Sequence, residues 1–199
     1  MRPIGVLLVL LLGGLIGCAT TKVERVGVDT TTDLSGRWND TDSRLVSEEM
    51  IKDVLSRPWI ERFSKEHGNK APTVIVGTVT NKSTEHINVQ TFTKDLEREL
   101  TNDGRVQFVA AKSEREEIRE ERQEQQSQSS QETAKGLGKE IGADYMLKGA
   151  INSILDEAGG VKAVYYQVDL ELFDVEKNLK VWSGQKKIKK IIEKSRLGF

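Results

Sequence analysis

Residues 73–79 read Thr73-Val74-Ile75-Val76-Gly77-Thr78-Val79, a short and continuous run rich in β-branched side chains. Such a run is typical of a central strand that is covered on both faces. We therefore expect a buried strand here, as the first strand of the sheet.

A helix is predicted next, from about Asn88 to Asp103-Gly104, because one helical face collects Val89, Phe92, Leu96 and Leu100. A second strand is predicted after it from the alternation of Val106, Phe108 and Ala110. The result is a strand–helix–strand unit, whose two strands are expected to be parallel with a right-handed crossover.

The C-terminal part of the chain reads as a meander of three strands. We predict strands at 143–154, 161–175 and 181–192, with turns at 156–160 and 176–178. On the middle strand the alternation predicts one buried face, formed by Val164, Tyr166, Val168, Leu170 and Leu172. The expected fold class is therefore α/β, with a single mixed sheet flanked by helices.

Two helices are predicted before the first strand. The first begins at Asp42 or Thr41 as the N-cap and runs to about Arg57, with an apolar stripe through Val46, Met50 and Val54. The second is a short piece from Trp59 to Glu66, which Pro58 introduces.

The stretch 112–132 is unusual because every side chain from Arg119 to Glu132 is polar. It reads as a solvated helix that begins at Ser113 and frays into a loop, or alternatively as an arm that binds a partner. A short helix is expected to follow from Ala134 to Ile141, with Leu137 and Ile141 facing inward.

The first 17 residues form a predicted signal peptide, with Arg2, an apolar run from Val6 to Leu12 and small residues near the cut site. The apolar run is too short to span a bilayer as a helix. Residues 15–18, Leu15-Ile16-Gly17-Cys18, resemble the lipobox of bacterial lipoproteins. That resemblance implies cleavage before Cys18 and lipid attachment to its sulfur. The alternative is an ordinary secretory signal that ends near a cysteine.

The predicted organisation is a signal peptide at 1–17, a lipidated N-terminus and short tether at 18–32, and one α/β domain at 33–199. The tether is polar and Thr-rich, with a possible strand near Val26 and Val28. From Cys18 to Asp33 it spans at most roughly 50 Å. Cys18 is the only cysteine, so no disulfide is expected.

The charge balance is nearly even, with 30 Lys and Arg against 31 Asp and Glu, which argues against a nucleic-acid partner. No pattern for a catalytic triad, a metal or a cofactor emerges. Gly136-Leu137-Gly138-Lys139 lacks the rest of a phosphate loop, Asp40-Thr41-Asp42 lacks the rest of a calcium loop, and His67 and His86 stand alone. We therefore expect neither an enzyme nor a small-molecule substrate, and no cofactor or metal.

The lysine-rich run at 186–191 has two interpretations. On a strand, lysines that face out and isoleucines that face in are ordinary, and lysine protects sheet edges from aggregation. The run is alternatively a patch for anionic lipid or for a partner.

Several segments, in order along the chain, resemble LpoB-like penicillin-binding-protein activators. They are Asp33-Leu34-Ser35-Gly36-Arg37-Trp38-Asn39-Asp40-Thr41-Asp42, residues 54–59, 76–83, 92–97 and 142–149, and Val181-Trp182-Ser183-Gly184. The resemblance implies a non-enzymatic outer-membrane lipoprotein whose domain resembles the N-terminal domain of periplasmic TolB. It also implies a class A penicillin-binding protein as partner. Enteric members have a long disordered tether, which this chain lacks.

The predicted function is therefore that of an outer-membrane lipoprotein, on the periplasmic face, that binds and stimulates a class A penicillin-binding protein. The alternative is an envelope assembly or structural lipoprotein that uses the same domain to bind proteins; the short tether favours it. Candidate partner-binding residues are Arg37, Trp38 and Asn39. The favoured alternative is that Trp38 packs on the domain and its polar neighbours cap the helix. The predicted core is Val46, Met50, Val74, Val76, Phe92, Leu96, Phe108, Val168 and Leu170.

Overall fold

A computed structural model describes residues 22–128 and 140–193 of the chain. The chain forms two compact units, and the boundary between them lies between Thr30 and Thr31. In the first part, the backbone N–H of Thr30 donates to the carbonyl of Gly27 at 3.0 Å and forms a turn. Val26 and Val28 are exposed there, so the strand expected near them is wrong. Isolated valines between polar residues offer no face to bury.

The second part contains four helices and five strands among its described residues. The helices are α1 (Asp40–Leu55), α2 (Trp59–Glu66), α3 (Val89–Asp103) and α4 (Lys112–Gln128). The strands are β1 (Thr73–Asn81), β2 (Gln107–Phe108), β3 (Tyr145–Ala158), β4 (Val161–Asp174) and β5 (Lys180–Glu193).

The five strands form one sheet in the order β2-β1-β3-β4-β5. β1 is parallel to both β2 and β3, whereas β3, β4 and β5 are antiparallel neighbours. The β3–β4 turn holds Gly159 and Gly160 at φ of 59° and 84°, a backbone conformation that glycine adopts without strain. The predicted α/β fold with one mixed sheet is confirmed.

The core lies between one face of the sheet, which we call the inner face, and the helices α1 and α3. The predicted inner side chains of β4, from Val164 to Leu172, are all buried. Eight of the nine predicted core residues are also buried, but Phe108 is only half-buried. Its strand β2 has two residues and lies at the edge of the sheet, where one flank stays open.

Helix ends follow local capping. α2 has the predicted bounds, and α3 begins after Asn88, whose side chain accepts from the N–H of Gln90, and ends at Gly104. The predicted N-cap of α1 is wrong. Asn39 is the cap, and Asp42 instead closes a capping box by accepting the N–H of Asn39 at 3.0 Å.

The polar stretch forms α4, none of whose residues is buried, which confirms a solvated helix as far as Gln128. The fraying expected after it, and most of the helix expected at 134–141, lie outside the described residues. Ile141 is 66% exposed, so the prediction that it faces inward is wrong.

The lysine-rich run on β5 splits between the two faces. Lys186, Ile188, Lys190 and Ile192 share the inner face with Trp182, whereas Lys187, Lys189 and Ile191 face the other side, as the pairing with β4 shows. The expectation that lysines face out and isoleucines face in is therefore only partly right. Consecutive strand residues must point to opposite faces, so a lysine pair always places one member inward.

The inward Lys190 is compensated by carboxylates. Its Nζ donates to Asp42 Oδ2 at 2.7 Å, to Asp33 Oδ1 at 2.6 Å and to the carbonyl of Arg37 at 3.2 Å. Burial lowers the pKa of Lys190, but the hydrogen bonds and charges of Asp33 and Asp42 outweigh it, and the net pKa is raised. The hydrogen bond from Lys190 is the main reason that the pKa of Asp33 is lowered.

Replacing Lys190 by methionine is expected to lower the free energy of unfolding by about 2 kcal/mol. The side chain of Asp42 is 7% exposed. It would remain buried in the variant but would lose the positive charge of Lys190 that it pairs with. Breaking a fully buried ion pair costs roughly 3–5 kcal/mol, and the exposed flank of Asp33 reduces that figure. Urea unfolding at neutral pH measures the change.

The matched control is Lys187→Met on the opposite face of the same strand, which should change stability by less than about 0.5 kcal/mol. The Lys190→Met and Lys187→Met variants should also differ in how their free energy of unfolding changes at acid pH. Asp33 stabilises the fold above its ordinary pKa of 3.8, and this contribution is lost as the pH falls through its lowered folded value. Equal losses for both variants would contradict a structural role for Lys190.

Candidate protein-binding surface

The residues from 33 to 39, here called the entry segment, lie against the domain rather than apart from it. Gly36 has a φ of 68° and lies so close to the side chain of Ile192 that a Cβ there would clash with it. With the bonds of Lys190 to Asp33 and Arg37, this contact fixes the segment along the end of β5.

Trp38 is half-buried and packs on the core. Its ring makes edge-to-face contacts with Tyr166 and Phe92, at centroid distances of 5.5 and 6.3 Å. Its indole Nε1 donates to Ser43 Oγ at 2.9 Å, and its backbone N–H donates to Glu85 Oε2 at 3.1 Å. Burial, together with the nearby Glu85 carboxylate, raises the pKa of Tyr166.

Asn39 is committed to local structure as well. Its Oδ1 accepts the N–H of Asp42, and its Nδ2 donates to Asp33 Oδ1 at 2.7 Å. Arg37 is the exposed member of the three candidate residues. The structure therefore brings Arg37, Trp38 and Asn39 together in one segment, but only the Arg37 side chain is directed to solvent.

Asn39 should matter for stability through its cap. Asn39→Ala is expected to lower the free energy of unfolding by about 1 kcal/mol, whereas Asn39→Ser, which also caps, should retain most of it. Thermal unfolding of the two variants measures the difference. Equal destabilisation by serine and alanine would mean that the bond to Asp33, rather than the cap, is the stabilising contact.

The helix α4 is a second candidate surface. Lys94 Nζ donates to Glu114 Oε1 and joins α3 to the start of α4. Farther along, Arg119 makes two 2.7 Å hydrogen bonds to the Glu140 carboxylate. These contacts hold a polar helix in place without burying it, so its outer surface remains available.

The outer face of the sheet, opposite the helices, is largely polar on β3–β5. Asp169 lies at its centre and accepts hydrogen bonds from the side-chain amides of Asn152, Gln167 and Gln185, with the shortest at 2.8 Å. Exposed apolar groups lie beside this network, since Ile154 is 65% exposed and Ile191 is 56% exposed. The alternation on β4 predicted its buried face, but the amide cluster around Asp169 on the other face was not predicted.

Within 22–128 and 140–193, no cluster of three or more His, Cys, Asp or Glu side chains could hold a metal ion. None of the helices in those ranges is long and apolar enough to cross a membrane. Cys18, the expected lipid attachment site, lies outside the described residues.

A sequence model of the family described as "Peptidoglycan-synthase activator LpoB" matches residues 42–188. The chain belongs to the LpoB family. The match extends from the first turn of α1 to Ile188 in β5, so it includes α4 and the sheet. Cys18 and the candidates Arg37, Trp38 and Asn39 precede the matched residues.

Solved structures of low sequence identity are also similar to this chain. The LpoB C-terminal domain from Escherichia coli is 18% identical, with a TM-score of 0.46, over 74% of this chain and 98% of that one. Lipoprotein GNA1162 from Neisseria meningitidis is 14% identical, with a TM-score of 0.37, over 63% and 88%. No curated protein sequence matches. The assignment to the LpoB family therefore depends on the family model.

Proposed function

We propose that this protein is an outer-membrane lipoprotein, facing the periplasm, that binds and stimulates a class A penicillin-binding protein. The observation that carries the proposal is the match to the peptidoglycan-synthase activator family across α1 to β5. In this proposal the protein regulates peptidoglycan synthesis by binding and has no catalytic role of its own. The proposed likeness to the N-terminal domain of TolB belongs to the same hypothesis.

Anchoring would come from lipid on Cys18. Two or more acyl chains give stable attachment where one chain is marginal. The residue after the cysteine is Ala19, and in this respect the chain resembles lipoproteins that are sent to the outer membrane. The tether from Cys18 to Asp33 would hold the domain within roughly 50 Å of that membrane.

Activation by binding requires a difference in affinity. A regulator stimulates a synthase when it binds the active conformation more tightly than the inactive one. A rigid contact surface favours tight binding to the conformation that it fits, because less conformational entropy is lost on binding. The entry segment supports such a role, since Trp38 and Asn39 fix its backbone while Arg37 projects from it.

The alternative function is that of an envelope assembly or structural lipoprotein with the same binding domain. The short tether favours it, because a partner near the outer membrane would need less reach. The two functions differ in a direct assay: only the activator changes the rate of glycan polymerisation.

The chain from Ala19 onward, expressed without its signal, should bind a class A penicillin-binding protein from its own cell and raise its rate of glycan polymerisation. Arg37→Glu should weaken this stimulation several-fold, because reversing a contact charge costs binding. Polymerisation of labelled lipid II with increasing amounts of each variant gives the measurement.

The matched control is Arg62→Glu, an exposed arginine of α2, which should stimulate as the unmodified protein does. Equal activity of both variants would remove Arg37 from the contact surface. Failure to bind or stimulate any class A synthase of the cell would overturn the proposed function itself.

A further inference from the structure

The edge of the sheet at β5 is long and unpaired. β5 has 14 residues, whereas β2 at the opposite edge has two. β4 pairs with one side of β5, and no other backbone segment among residues 22–128 and 140–193 bonds to it. An unpaired strand edge is a template for another strand.

Both ends of this edge have neighbours, and on the stretch between them α1 reaches the Lys186 side chain through Glu49 but forms no backbone pairing with the strand. At the C-terminal end, the entry segment lies beside Lys190 and Ile192. At the N-terminal end, Trp182 folds over Gly184 and donates to Asp53 of α1 at 2.9 Å. The open stretch is therefore Gln185–Lys189, which is long enough for several backbone hydrogen bonds.

The charges around this open stretch are uneven. On the inner face, Lys186 is paired with Glu49, and Lys190 with Asp33 and Asp42. On the outer face, Lys187 and Lys189 are exposed and form no ion pair with any described residue. Their neighbours on β4 are Gln167 and Tyr165. Two uncompensated positive charges thus lie two residues apart, directly beside the open edge.

A second copy of the chain is a poor occupant. In an antiparallel pair of β5 strands centred on Ile188, Lys187 would face Lys189 of the copy and Lys186 would face Lys190. Like charges directly opposite each other destabilise a strand pair. The exposed Lys187 and Lys189 therefore disfavour self-pairing in this register, and the same charges attract an acidic strand.

We propose that Gln185–Lys189 binds an extended segment of a partner protein in which acidic and apolar side chains alternate. The segment would extend the sheet by backbone pairing, the mode known as β-augmentation. Acidic side chains would lie opposite Lys187 and Lys189, and an apolar side chain would lie opposite the half-buried Ile188. This inference goes beyond the proposed function, since it does not require the synthase to supply the segment.

The test uses labelled synthetic peptides and the chain from Ala19 onward. A peptide of alternating glutamate and valine should bind in fluorescence anisotropy, and a lysine–valine peptide should not. The double variant Lys187→Glu/Lys189→Glu should bind the glutamate–valine peptide at least about tenfold more weakly and should now bind the lysine–valine peptide. The control Lys52→Glu/Lys65→Glu, which reverses two exposed lysines of α1 and α2, should bind as the unmodified protein does.

Backbone pairing has its own control. A strand has two edges, and methylating the backbone nitrogens of alternate residues blocks one edge at a time. One of the two methylated glutamate–valine peptides should lose binding, and the other should retain it.

Three results would overturn the inference: no binding of the acidic peptide, equal binding by the double variant and its control, or full binding by both methylated peptides.

Vesicles that contain anionic lipid test whether the same lysines bind a membrane surface instead of a peptide. Binding to vesicles that depends on Lys187 and Lys189, without peptide binding, would assign these lysines to a lipid surface and contradict the proposal. None of these outcomes depends on synthase stimulation, so the two hypotheses fail separately.

Discussion

The alternation of side chains along β4 and β5 is the constraint on which the rest of the structure depends. β4 is hydrogen-bonded to β3 and β5 over its whole length, so its register fixes which face of the meander is apolar. The buried side chains from Val164 to Leu172 define that face, and α1 and α3 pack there. A slip of β4 by one residue would exchange its two faces and place Asp169 and Gln167 beneath the helices.

The same alternation determines the charges of β5. Each lysine pair must divide between the faces, and the inward Lys190 becomes the point where three parts of the domain meet. It joins the sheet to Asp42 in the first turn of α1 and to Asp33 in the entry segment. The outward Lys187 and Lys189 form no ion pair with a described residue and lie beside an open edge. One short run of sequence therefore contributes both to the internal structure and to a surface suited to binding.

Much of this fold was predictable because its signals are local. The apolar run of β1, the alternation on β4, Pro58 before α2 and Gly104 after α3 each indicate their element directly. Some errors were local, such as the N-cap of α1, and others came from neighbours that are distant in sequence. Phe108 is half-buried because β2 is short and lies at an edge, and Lys190 turns inward because Asp33 and Asp42 receive it. Arg37, Trp38 and Asn39 were chosen as candidates because they lie in an extended segment before the first helix, but only the structure separates the exposed Arg37 from the packed Trp38.

The central claim is that a domain held together in this way regulates a peptidoglycan synthase from a lipid anchor. A pull-down from detergent-solubilised envelope tests it most directly, with the lipidated protein as bait and a signal-swapped Cys18→Ala form as the control without lipid. The account predicts recovery of a class A penicillin-binding protein with the lipidated bait. Recovery of outer-membrane components alone would contradict it and would favour an assembly or structural role for the same domain.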